Sequence, residues 1–255
     1  MIRMTAAAIA AAIAATALAP AAAQEAHAPR RVLVALAHPD DELFMAPAIA
    51  ALVREGAEVT LAYATQGDVG PGVSGMEKGA KLAAVRLGEA RCSQKALGAQ
   101  HLVSFNRGDG RMGIDVQTSG SAANQALGDF ARIAPGFDLV LTWGPDGGYG
   151  HADHRMVSAF VTQSVQAVTG GTRPRLLYVG IPNGTLPPLP QMSSWATTDP
   201  ELLSEGIAYT PADLAAATRA AQCHETQFDA YSRDGMMTMF DATIWRGKVH
   251  FRPAF

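Results

Sequence analysis

Cysteine is scarce in this chain: Cys92 and Cys223 are the only two in 255 residues. Neither has the CxxC or Cys/His spacing of a zinc set or a redox motif, which removes thiol chemistry as a source of function. Both lie in helix-like stretches and read as two buried thiols, although in an oxidising compartment they could pair instead. Basic runs are also missing. Lys and Arg number 20 against 23 Asp and Glu, without a cluster of either sign that stands out. That argues against a nucleic-acid partner and favours a neutral or modestly polar small substrate. Beyond the first two dozen residues there is no long apolar run, so no integral membrane segment is expected.

Those first residues form a separate unit. Residues 1–23 have a short basic start, an Ala/Ile/Leu run interrupted by Pro20, and a small-residue end at Ala21-Ala22-Ala23. This is the pattern of a secretory signal peptide, so the expectation is cleavage after Ala23, a mature chain 24–255 and an exported, periplasmic or secreted protein. Losing Arg3 takes the formal net charge from −3 to −4. The remainder, roughly 230 residues, suits one α/β domain that can bury its own core.

Short apolar runs at 31–37, 58–65, 101–105, 138–143 and 175–181 read as buried strands, and helical spacing occupies 43–55, 76–97, 121–133, 151–168 and 212–231. Alternation of this kind predicts a single Rossmann-like domain, a mainly parallel sheet with helices on both faces. Residues 182–209, rich in Pro, Ser and Thr, read as an irregular excursion of the type that serves as a lid or binding loop.

In open parallel sheets ligands collect beyond the carboxyl ends of the strands. Two polar clusters fall there. His38-Pro39-Asp40-Asp41-Glu42 follows the first strand, and His151-Ala152-Asp153-His154 follows the run DLVLTW and a glycine loop at 144–150. Three acids in a first helical turn can simply complement the helix dipole. His38 and Asp41, however, can converge from the two sides of one tight turn. Adding a histidine from the second cluster completes two nitrogens and a carboxylate, the open three-ligand set of catalytic zinc. Adjacent carboxylates also divide naturally into one held by a cation and one free to take a proton.

HPDDE, HxDH and the intervening glycine loop together resemble the PIG-L/LmbE-like de-N-acetylases. Thr65-Gln66-Gly67, Arg86–Glu89 with Leu97-Gly98, Asp109-Gly110 and His224–Gln227 fit the same order. The resemblance implies a zinc enzyme, with Fe2+ as another candidate metal, that removes acyl groups from N-acetylglucosaminyl compounds. It implies His38, Asp41 and His154 as metal ligands, Asp40 as general base, and His151 as the group facing the oxyanion or leaving nitrogen. Arg86 and Asp109 become substrate contacts by the same likeness; read as residues alone, they are a surface pair with Glu89 and a turn aspartate. His224 and Gln227 share a helix face and are expected to support the site from outside. A non-sugar amide substrate keeps the same site. A secreted metal- or carbohydrate-binding module does not need Asp40, and a two-metal phosphoesterase needs more ligands than the three in view.

Overall fold

The computed structural model describes residues 30–171 and 173–255; the expected leader at 1–23 lies outside them. Strand β1 (Arg31–Leu36) explains the arrangement of the rest. Every residue after Arg31 is buried, with Val32, Val34 and Leu36 in one core and Leu33 and Ala35 in another. A strand without a solvent face belongs in the middle of a sheet covered on both sides. It pairs in parallel with β2 (Glu58–Tyr63) and β4 (Leu139–Trp143).

With β3 (His101–Ser104), β5 (Arg175–Val179), β6 (Glu205–Ala208) and β7 (Lys248–Pro253), the seven strands run in the order β3-β2-β1-β4-β5-β7-β6. The chain builds outward from β1 to β3 and then resumes at β4 on the other side. The order therefore reverses between β1 and β4, and a crevice opens at their carboxyl ends. Helices α1 (Ala46–Arg54), α2 (Ala80–Leu97), α5 (Pro211–Gln222) and α6 (Ala230–Phe240) cover one face. Helices α3 (Ala122–Ile133) and α4 (Ala152–Gln166) cover the other. This is the expected single α/β domain. Among the described residues no helix is long and apolar enough to cross a membrane.

The structure departs from the sequence expectation in the last quarter of the chain. The helix read over 212–231 is two helices: α5, opened by a Thr210/Asp213 capping box with Pro211 in its first turn, and α6, whose N-cap Asp229 accepts from the Ser232 N–H. The excursion 182–209 ends in strand β6, and β6 and β7 form an antiparallel edge. Neither is an apolar run; β7 buries only Val249 and Phe251, so its alternation, not its hydrophobicity, marks it.

The two cysteines also differ from the expectation. Cys92 on α2 is exposed, Cys223 at the end of α5 is partly so, and the two are joined in a disulfide across 131 residues of sequence. Helices α2 and α5 pack side by side, which brings together thiols that spacing alone could not pair. Closing so long a loop restricts the unfolded chain, and replacing both cysteines with serine is expected to cost roughly 2–4 kcal/mol. Urea unfolding of the oxidised protein and the double variant measures this; equal midpoints would show that the thiols contribute no cross-link.

Candidate active site

The segment after β1 turns back on itself. Oδ2 of Asp41 accepts from the backbone N–H of Ala37 (2.9 Å) and of His38 (2.8 Å), closing a tight loop around Pro39 and Asp40. The turn forces Asp40 to φ 108°, an uncommon conformation for a residue other than glycine. Several bonds over-determine it. The Asp40 N–H donates to Glu42 Oε2 (3.0 Å), and the Arg86 guanidinium donates to the Pro39 carbonyl (2.6 Å). Glu42 is fully buried, its other oxygen held by Ser93 Oγ and His224 Nε2, each at 2.6 Å. The third acid of the motif is therefore a brace for the turn.

The second cluster arrives from the neighbouring strand. His151 caps α4: its Nδ1 accepts the Asp153 N–H at 3.2 Å. The proton of the neutral ring then sits on Nε2. Nδ1 of His154 faces the Gly147 carbonyl at 3.2 Å, so it carries the hydrogen and leaves the Nε2 lone pair inward. Nε2 of His38 faces two carboxylates, Asp109 Oδ1 at 3.0 Å and Asp153 Oδ2 at 3.3 Å, which leaves its Nδ1 lone pair inward as well.

These inward atoms meet. His38 Nδ1 lies 3.3 Å from His154 Nε2, and Oδ1 of Asp41 lies 2.9 Å from the same nitrogen. Two ligands on a tetrahedral zinc at about 2.0–2.1 Å stand roughly 3.3 Å apart. Two ring nitrogens and a carboxylate oxygen converging at that spacing form a donor set that fits Zn2+ chemistry. Donor atoms of His38, His151 and His154 also fall within 4.8 Å of one another, as do those of His38, Asp109 and Asp153. The latter trio consists of the outer partners of His38, the arrangement that orients a ligating histidine.

The electrostatics separate the titratable groups of the cluster. Burial works against a charge on His38, but its hydrogen bonds to Asp109, Asp153 and Asp41 outweigh it and hold the ring well above its ordinary pKa. Burial likewise opposes ionisation of Asp41, yet His154 and His38 hold it well below the carboxylate range. Asp40 behaves differently. Burial lifts it to about 6, Arg86 pulling down and Asp41 pushing up. Its side chain is 19% exposed against 4% for Asp41, so Asp40 is the carboxylate open to the crevice. Burial, with the charges of His38 and His154, lowers His151 below its usual value, keeping a neutral ring.

The remaining candidates divide. Arg86 is buried, not on the surface, and its guanidinium donates to the carbonyls of Pro39, Gly67 and Gly70 and pairs with Asp40 at 3.3 Å. Gly67, at φ +70°, has no room for a side chain against that guanidinium. Asp109 spends one oxygen on His38 and the other on the Val69 N–H. Both hydrogen-bond within the protein, in place of the substrate contacts that the resemblance implies. Glu89 turns away from Arg86 and accepts from the N–H and hydroxyl of Thr226, beside Gln227, whose amide reaches the Gly70 carbonyl. His224 supports the turn through Glu42.

The sequence reading misses Asp153, whose carboxylate also takes the N–H groups of Gly110 and Met112; its place between His151 and His154 was the available signal. The glycine loop at 144–150 carries Tyr149, whose ring stands 5.1 Å from His154 and 5.3 Å from Trp195. Gly148, at φ +71°, lets the backbone pass Trp143, where a Cβ would approach the indole to 2.6 Å. Trp143 in turn stacks on His154 at 5.3 Å. Beyond Asp40 and Asp41 a cavity of about 800 Å³ opens toward α6.

Residues 33–165, just over half of the chain, match the family described as PIG-L, GlcNAc-PI de-N-acetylase. The chain belongs to the PIG-L family. Among its relatives is a 1D-myo-inositol 2-acetamido-2-deoxy-alpha-D-glucopyranoside deacetylase of Kineococcus radiotolerans, 35% identical over 57% of this chain and 47% of the relative. This PIG-L chain thus spans about half of that relative's length. A protein of the same description from Corynebacterium urealyticum is 28% identical over 83% of this chain and 74% of its own. Among solved structures, N,N'-diacetylchitobiose deacetylase from Pyrococcus horikoshii shares the fold, with TM-score 0.65 at 19% identity, covering 88% of this chain and 84% of its own. His38, Asp41 and His154 fall inside the matched segment, as do Asp109 and Asp153.

The strained turn generates a measurable difference. Asp40→Gly and Asp40→Ala remove the same carboxylate, but only glycine accepts φ 108° freely. The glycine variant is expected to be more stable than the alanine variant by about 1 kcal/mol. Thermal unfolding of the pair checks this, and an alanine variant at least as stable would mean the turn stores no strain.

Proposed function

We propose that this PIG-L chain is a zinc-dependent hydrolase that removes the acetyl group from an N-acetylglucosamine-type substrate. The observation that carries the reading is the convergence of His38 Nδ1, His154 Nε2 and Asp41 Oδ1 beside the open carboxylate of Asp40. His38, Asp41 and His154 would hold the metal. When bound there, Zn2+ supplies Lewis-acid polarisation of the amide carbonyl and acidifies the attacking water. Asp40 takes the proton of that water as its oxygen bonds to the carbonyl carbon. Nε2–H of His151 stabilises the charge that develops on the carbonyl oxygen or donates to the departing nitrogen. The C–N bond then breaks, and the proton held by Asp40 completes the free amine as acetate leaves. Membership in the GlcNAc-PI de-N-acetylase family and the likeness to two deacetylases of an N-acetylglucosaminyl inositol support the substrate class.

We further propose that the protein is exported, which the leader-like pattern at 1–23 and the Cys92–Cys223 disulfide both support. Protein recovered outside the cytoplasm should begin at Gln24. Full-length chain confined to the cytoplasm would sink the proposal.

Two variants separate the roles. Asp40→Ala should retain the metal and lose roughly 10²- to 10⁴-fold in kcat, whereas His154→Ala should lose the metal itself. Elemental analysis with acetate release from N-acetyl sugars and simple amides reads both. A His154→Ala protein with full metal, or near-normal turnover by Asp40→Ala, overturns the respective assignment.

A further inference from the structure

The cavity beside Asp40 is built for more than an acetyl group. At about 800 Å³ it lies within the range of pockets that enclose drug-sized ligands, roughly 300–1,000 Å³. Its walls are apolar and come mostly from outside the family-matched segment. Met192 and Trp195 belong to the 182–209 excursion, and Phe228, Met236 and Met239 to α6 and its approach. Among the described residues the only charged ones lining it are Asp40 and Asp41, with no lysine or arginine. A phosphate-bearing substituent would find no cationic side chain along these walls, while an uncharged hydrocarbon would meet sulfur and aromatic faces.

Resting on the function proposed above, we infer that the substrate is an amphiphilic amino-sugar glycoside whose neutral, apolar aglycone occupies this cavity. The aglycone is chosen over a long acyl chain because the reading above leaves only an acetyl group on the carbonyl side. The rest of the volume then falls to the amine half of the substrate. Trp195, packed at 5.3 Å from Tyr149 and 5.6 Å from Phe44, ties the cavity wall to the loop that presents His151 and His154.

Gly235 on α6 offers a clean way to close the cavity. It lines the space, and a Cβ there meets no atom within 4 Å, so Gly235→Leu should fold while narrowing the mouth. Amine release by the zinc-loaded full chain is measured on methyl and octyl N-acetyl-β-glucosaminide, N-acetylglucosamine 1-phosphate and N-octanoylglucosamine. The octyl glycoside should exceed the methyl glycoside at least about tenfold in kcat/KM, and the phosphate should fall below it. G235L should abolish the octyl advantage, bringing the octyl and methyl glycosides to the same kcat/KM. Equal values for the two glycosides, a preference for the phosphate, a gain that follows the N-octanoyl chain, or an octyl advantage untouched by G235L would each overturn the assignment. If no amide is hydrolysed, the function proposed above fails, and tryptophan fluorescence titration with the two glycosides still reads the cavity. Tighter octyl binding that G235L removes supports the subsite, and equal binding overturns it.

Discussion

The two oxygens of Asp41 have different tasks. One is consumed by the N–H groups of Ala37 and His38, and this bond folds the chain back at the end of β1; the other points at His154. A carboxylate fixed by its own backbone cannot swing toward solvent, so the position of its inward oxygen is set by the end of a buried central strand and not by a mobile loop. The neighbouring positions follow from this. His38 is placed by the same turn, and Asp40 is pushed into its strained conformation at the rim. Because β4 lies directly beside β1, the histidines that follow it reach the same point.

Around this centre lies a second tier of groups that touch one another and not the crevice. Asp109 and Asp153 fix the ring of His38, Gly147 fixes His154, and Glu42, Ser93 and His224 hold the turn from beneath. Buried polar groups are costly unless paired, and these bonds join five separate segments of chain. The geometry at the centre is therefore a property of the folded domain as a whole.

Much of this was legible in the sequence because it depended on local pattern. The five apolar runs gave the parallel strands, and the position of HPDDE and HxDH after two of them placed both clusters at one sheet edge. What was not legible depended on contacts between distant segments. Arg86 reads as a surface residue until α2 is seen to press it under Pro39, and Cys92 meets Cys223 only because α2 packs on α5. The edge strands β6 and β7 carry too little hydrophobicity to stand out. Asp153 was hidden by two more conspicuous histidines, and the cavity walls consist of ordinary apolar residues whose meaning appears only when they face one another.

The bond between Glu42 and His224 has a consequence for how the molecule can be divided. Residue 224 lies well beyond the end of the family-matched segment, yet it carries the counter-charge for a glutamate next to a candidate ligand. Helices α5 and α6, also beyond that segment, belong to the same core layer as α1 and α2, with α5 packed directly on both. The boundary visible by likeness is therefore not a seam along which the protein comes apart. A transplant of residues 33–165 would carry the reactive groups but leave Glu42 without His224 and strip α1 and α2 of the helix packed on both. The chemical inheritance is local, while the foundation on which it stands belongs to the entire chain.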